Sequence, residues 1–192
     1  EGTRRLRAEW NDQVCHSNPA RVVDEPSCRI LWGDVHLHTV LSDCHPDRCR
    51  TRDLAYTISR DIYGLDFVGV ADHVSYGKRG SAGKWFDNIA VADTYNSPGE
   101  FTTLCCYEAS LDGGLGGDNN VYTRQFSESY LDPDEPGWTI KEYAERLPED
   151  AIVVPHHTTR TGKHGEIPPD IYPGPEKMPL VEIHSKWGTS EY

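Results

Sequence analysis

Short apolar runs separated by long polar stretches set the rhythm of this chain. Residues 30–35, 66–71, 102–107, 151–155 and 180–183 have the length and β-branched content of strands buried in a core. Between the first two, Leu54, Ile58 and Ile62 recur at i, i+4 and i+8, and Gly64 supplies a stop, so residues 52–65 read as an amphipathic helix. Before the fourth run, Thr139 and Glu142 have the spacing of a capping box leading into Ile140, Tyr143, Ala144 and Leu147, and Pro148 closes that helix. This alternation of strand and helix predicts an α/β fold, a parallel sheet or barrel with helices outside. Residues 1–29 carry mixed charges, Asn-Pro and Glu-Pro steps and no apolar period, which predicts an irregular arm ahead of a domain over 30–192. Residues 112–120 are Gly-rich and 168–179 Pro-rich, and both are expected to be loops.

Charge narrows the partners. The chain holds 31 acidic and 19 basic residues among 192, a formal charge of −12, which repels duplex nucleic acid. No apolar run approaches the roughly 20 residues of a membrane-spanning helix. Six cysteines occur without a Cys-x-x-Cys pair, so disulfides are the expected use for some of them. Cys44 and Cys49 bracket a short polar loop, and Cys15 and Cys28 bracket a segment without periodicity. Bridges there imply an oxidising compartment, periplasmic or extracellular. Cys105 and Cys106 are adjacent in a strand, face opposite ways and are expected to pack in the core.

The candidate chemistry lies at the ends of the apolar runs. His36 and His38 close the first, Asp72 and His73 the second, Glu108 the third, His156 and His157 the fourth, and Glu182 and His184 the fifth. In a barrel these ends gather on one face, where ligands bind. His36 and His38, two residues apart on extended backbone, point the same way and can hold one metal. Asp34 and Asp72, beside ligand candidates, are read as acceptors that orient imidazoles.

These residues, His36-Leu-His38-Thr-Val-Leu-Ser42-Asp43, then Asp72-His73, then Glu108, then His156, resemble the successive motifs of the PHP (polymerase and histidinol phosphatase) superfamily of metal-dependent phosphoesterases. Val181-Glu-Ile and Gly188-Thr-Ser-Glu191 are also similar to later segments of a branch known only as a domain of unknown function. The resemblance covers roughly residues 30–192. It implies a distorted TIM-like (β/α) barrel of PHP type with two or three divalent ions, Zn, Mn or Fe. His36 and His38 would bind a first ion, Glu108 would bridge to a second held by His156, and His73 with Asp43 would serve a third. Glu108 and Asp72 are the catalytic candidates on this resemblance.

The family's closing Asp-x-His motif is not found before Tyr192. The barrel is therefore expected to be incomplete in this chain, which alone would not be a competent hydrolase. A further segment or partner chain is expected to cover the edge beside the strand at 180–184. The implied reaction is attack of a metal-activated water on a small phosphorylated substrate, needing neither a Gly-x-Ser-x-Gly elbow nor a Walker loop, and neither occurs. Arg160, Lys163 and Lys186 are candidate phosphate contacts. The competing readings are an amidohydrolase using similar metal logic and a non-catalytic secreted module with a degenerate site.

Overall fold

The computed structural model describes residues 2–42, 44, 50–74, 81–111, 114–124, 131–133, 137–158, 160, 164–165, 167–185, 188–189 and 191. The chain divides into two compact units, Glu1–Leu31 and Trp32–Tyr192.

The first unit is more ordered than its Pro-broken sequence suggests. It contains β1 (Gly2–Arg4), β2 (Arg7–Trp10), β3 (Gln13–His16) and β4 (Ala20–Val22), with β1 antiparallel to β4 and β2 antiparallel to β3. Asn11 and Asp12 join β2 to β3 with φ of 44° and 64°. That is the two-residue turn geometry that matches strand twist, and Asn and Asp tolerate its left-handed backbone. The irregular arm is thus corrected to nested antiparallel pairs. Cys15 and Cys28 are exposed and unbridged, so the expected staple is absent; the ladder register Ala8↔Cys15 holds this segment instead.

The second unit runs β5 (Gly33–Leu37), α1 (Arg52–Thr57) continuing into a π-helical turn (Ile58–Ile62), β6 (Phe67–Val70), α2 (Ser81–Tyr95), β7 (Thr102–Ser110), β8 (Asp118–Thr123), α3 (Ile140–Arg146) and β9 (Ile152–Pro155). A two-stranded hairpin, β10 (His184–Ser185) with β11 (Gly188–Thr189), follows. The five strands β5-β6-β7-β8-β9 form one curled, half-barrel sheet. The pairs β5/β6 and β6/β7 are parallel, whereas β8 is antiparallel to both β7 and β9. The sheet is therefore mixed rather than wholly parallel.

The fifth core strand comes from 118–123, within and beyond the expected Gly-rich loop, rather than from 180–183. Leu180, Val181 and Ile183 are exposed coil, and that segment meets the sheet where Glu182 N–H donates to Pro155 O at 3.1 Å. The first helix also turns a different face inward. Arg52, Tyr56 and Ser59 are buried while Leu54 and Ile62 are exposed, because the Arg52 guanidinium reaches inward to Asp72.

Close strand packing needs Gly69, where a Cβ would lie 2.8 Å from Cys106 Sγ and 3.0 Å from Val35 O. The larger core cluster lies on one face of β7, β8 and β9, where Tyr107, Val121 and Val153 meet Trp85 of α2 and Ile140 and Tyr143 of α3. Thr139 caps α3 in a reciprocal box with Glu142, as its spacing predicts. Asn88 of α2 donates to Val70 O at 3.0 Å and Cys106 O at 2.8 Å, tying β6 to β7. With Cys105, Tyr107 and Ala109 facing the core, alternation turns Cys106, Glu108 and Ser110 to the opposite face of β7.

Candidate metal centre

Each side chain of the centre leaves a strand or the segment just after one. His36 lies in β5 and His38 one residue past its end; His73 follows β6, Glu108 lies in β7, Asn120 in β8, and His156 and His157 follow β9. The bridge His73↔Glu108 and the pair Glu108↔Asn120 bring three of them into one row across the sheet. Glu108 is the hub. Its Oε2 lies 3.3 Å from His36 Nε2, 3.1 Å from His38 Nε2 and 3.2 Å from His73 Nε2. The two Nε2 atoms of His36 and His38 are themselves 3.0 Å apart. His156 packs edge-on to His36 with ring centroids 4.4 Å apart.

A second layer of polar atoms takes the far side of the rings. Glu182 Oε2 lies 2.7 Å from His36 Nδ1, and its Oε1 lies 2.9 Å from His156 Nδ1. Asn120 Nδ2 lies 2.9 Å from His36 Nδ1. Ser42 Oγ lies 2.5 Å from His38 Nδ1, accepts from His73 N–H at 3.0 Å and receives a contact from Cys44 Sγ at 3.5 Å. Ser110 Oγ is 3.2 Å from His73 Nδ1.

The structure thus brings together His36, His38, His73, Glu108 and His156. Asp72 is placed differently from expectation. Its Oδ1 accepts from Thr39 N–H at 2.6 Å, and its Oδ2 accepts from Thr39 Oγ1 at 2.7 Å and Arg52 Nε at 3.2 Å. It therefore fastens the turn after β5 rather than orienting an imidazole. Asp34 accepts from the backbone N–H of His36 at 3.0 Å. Asp43, Cys49, Lys163 and Lys186 lie outside the described residues. Arg160 donates its N–H to His157 O at 2.8 Å. Glu182, marked only by its place on the fifth apolar run, enters the centre, and Cys44 and Asn120 are contributors that the sequence did not point to as site residues. Cys44 and Asn120 sit away from any paired motif, which is why neither left a signal.

A family described as a protein of unknown function (DUF3604) matches residues 64–125. No curated protein and no solved structure matches this chain. The matched stretch of this DUF3604-like segment spans β6 to β8 and so includes His73, Glu108 and Asn120.

The centre calls for positive charge. Burial alone would lower the imidazole of His36, yet the carboxylates of Glu108 and Glu182 hold it up to about 9. Burial also opposes charge on His38, but Cys44 and Glu108 raise it to about 10. Burial would raise Glu108, and the imidazoles of His36 and His38 instead keep it well below the carboxylate range. Glu182 is brought down to about 2 by His156 and His36 against the same burial. The Cys44 thiol, which burial would raise, is drawn down to about 5 by His38, His73 and Ser42. His157 is the exception, pushed down to about 3 by burial and by His156.

One proton can bridge the 3.0 Å gap between the Nε2 atoms of His36 and His38, but two cannot. An ion held tetrahedrally at roughly 2.0–2.1 Å from each nitrogen separates its donors by roughly 3.3 Å. The observed spacings of 3.0–3.3 Å fit that geometry. Among the described residues, four overlapping donor sets each have their ligand atoms within 4.8 Å of one another: His36, His38 and Glu108; His36, His156 and Glu182; Glu108, His156 and His157; and His38, Cys44 and His73. These buried groups can hold a metal ion.

Proposed function

We propose that this protein is a metal-dependent hydrolase of small phosphoesters, working at a multinuclear His/Glu centre of PHP type. The observation that carries this reading is the convergence of three imidazole Nε2 atoms on one buried carboxylate oxygen of Glu108. Following the resemblance, His36 and His38 would hold one ion, Glu108 and His156 would supply donors to a second, and His73 with Asp43 would serve a third. Zn, Mn or Fe are the candidate ions, and a complete (β/α) barrel is the expected setting. A divalent ion bound here supplies Lewis acidity toward phosphoryl oxygens and lowers the pKa of water to near neutrality.

The protein's part is to fix the donors. Glu182 hydrogen-bonds the Nδ1 side of His36, as carboxylates behind ligand imidazoles commonly do, and its other oxygen lies within ion-pair distance of His156 Nδ1. Ser42 and Ser110 do the same for His38 and His73 with hydroxyls. The test is elemental analysis of the purified full-length protein together with turnover of p-nitrophenyl phosphate before and after chelation. We expect bound divalent metal, loss of turnover on chelation, recovery on adding Mn²⁺ or Zn²⁺, and joint loss of ion and turnover in Glu108→Gln. Full metal occupancy without turnover of any phosphoester would overturn the hydrolase reading and leave a structural metal.

A further inference from the structure

We infer that His164, oriented by Asp118, is the proton donor to the departing alkoxide of the substrate; this rests on the hydrolase reading above. Across β7 and β8, Glu108 pairs with Asn120 and Ser110 with Asp118. Cross-strand partners share a face of a sheet, and so do residues two apart on one strand. Three corners of this square touch the imidazole cluster: Glu108 through its carboxylate, Ser110 Oγ at 3.2 Å from His73 Nδ1, and Asn120 Nδ2 at 2.9 Å from His36 Nδ1. Asp118 is the fourth corner, and its Oδ2 lies 3.0 Å from His164 Nδ1. Asp118 therefore faces the same side of the sheet as the metal donors, one two-residue step, roughly 7 Å, along β8 from Asn120, and holds His164 against it.

The pair is graded from inside to outside. The side chain of Asp118 is 5% exposed and that of His164 30% exposed. A buried carboxylate thus fixes the Nδ1 side of a ring that remains open to an incoming group. Among the described residues no hydrogen bond reaches His164 Nε2. The side-chain contact is not required to anchor the loop, because the backbone already does so. Asp118 N–H donates to His164 O at 3.3 Å, and Gly165 is wedged where a Cβ would collide with Arg160 O and His157 O. A buried acid behind a half-open imidazole is the arrangement that sets a histidine for proton transfer.

In the proposed step, a water oxygen forms a bond to phosphorus and releases one proton to solvent while the bond from phosphorus to the ester oxygen breaks, its electron pair leaving with that oxygen. The Nε2 proton of His164 passes to the departing oxygen to give an alcohol, and solvent reprotonates the ring. Such help matters for an alkoxide and little for a phenolate, which leaves stably without a proton. The substrate class is therefore an alkyl phosphoester.

The test compares kcat/KM for glycerol 2-phosphate and p-nitrophenyl phosphate in metal-loaded full-length wild type, His164→Gln and Asp118→Asn, with bound metal measured in each. Proton donors contribute about 10²–10⁴-fold, so His164→Gln should shift the aryl-over-alkyl preference by about 100-fold or more. Asp118→Asn should shift it the same way by less, and metal content should stay at the wild-type value in both. Equal loss on both esters, or loss of the metal, would overturn the inference while wild-type activity keeps the hydrolase reading. Absence of turnover by metal-loaded wild type on either ester would overturn both.

Discussion

Cys44 gives this donor set a soft member. Its sulfur stands beside His38 and His73, close enough to share an ion with them, and thiolate favours Zn²⁺ over Mn²⁺. Cys44→Ser should therefore weaken Zn²⁺ binding by about tenfold or more, a size typical of losing a group at a metal site, and affect Mn²⁺ much less. Competition against a chromophoric chelator would measure this, and unchanged Zn²⁺ affinity would exclude Cys44 as a ligand. In the sequence this cysteine reads as half of a loop disulfide, because nothing in residues 44–49 shows that the loop start lies against His38. His36, His38, His73, Glu108 and His156 are legible for the opposite reason, since each ends an apolar run whose strand carries it to the same rim. Glu182 is half-legible. The apolar residues around it suggest a strand, but they are exposed, and only the carboxylate turns inward.

At the scale of elements, α3 is the best-specified piece, since Thr139 accepts from Glu142 N–H while Glu142 accepts from Thr139 N–H. Thr139→Ala should destabilise the domain by about 1 kcal/mol, read as a shift in urea midpoint without change in slope. A midpoint unchanged within error would mean that the box contributes nothing. Four of the five central strands are visible as apolar runs. The fifth, β8, is hidden because it begins Asp118-Asn119-Asn120, residue types depleted in strands. All three are buried. Asn120 reaches His36, Asp118 reaches His164, and Asn119 donates to Gly116 O at 2.9 Å and Gly117 O at 3.0 Å. Site chemistry and loop fastening thus displaced the β-branched residues that would have marked the strand. The face of α1 is misread for a similar reason: Arg52, a residue ordinarily assigned to solvent, points inward to Asp72.

For the whole molecule, the centre links stability to pH and metal. Without metal, His36 is held at about 9 against its ordinary 6.5, so its contribution is fully present below pH 6.5 and is lost as pH rises through 9. His38 would add a similar loss, rising from 6.5 to about 10, but Cys44, lowered from 9.0 to about 5, offsets it between pH 6.5 and 9. On the acid side Glu182, lowered from 4.5 to about 2, contributes above pH 4.5 and loses that contribution toward pH 2. The chelated protein should therefore be less stable at pH 9 than at pH 6.5. The Zn²⁺-loaded protein, with neutral imidazoles on the ion, should not show that fall and should gain about 2.7 kcal/mol when free metal is 100 times its Kd. Urea titrations at the two pH values, with chelator and with Zn²⁺, measure this. A chelated midpoint as high at pH 9 as at pH 6.5 would show that the carboxylate contacts of His36 are not formed.

The turn-back of β8 onto β7 also orders events in time. Glu108 and Asn120 meet across a short hairpin, whereas Glu182 must find His36 across a separation of 146 residues. Contacts close in sequence form sooner, because less chain must be immobilised to make them. The central carboxylate and its neighbouring amide should thus be paired early in folding, while the acid that steadies His36 and His156 arrives late. A cation present during folding would then meet a site still open on the Glu182 side, so that closure of the centre follows capture of the ion.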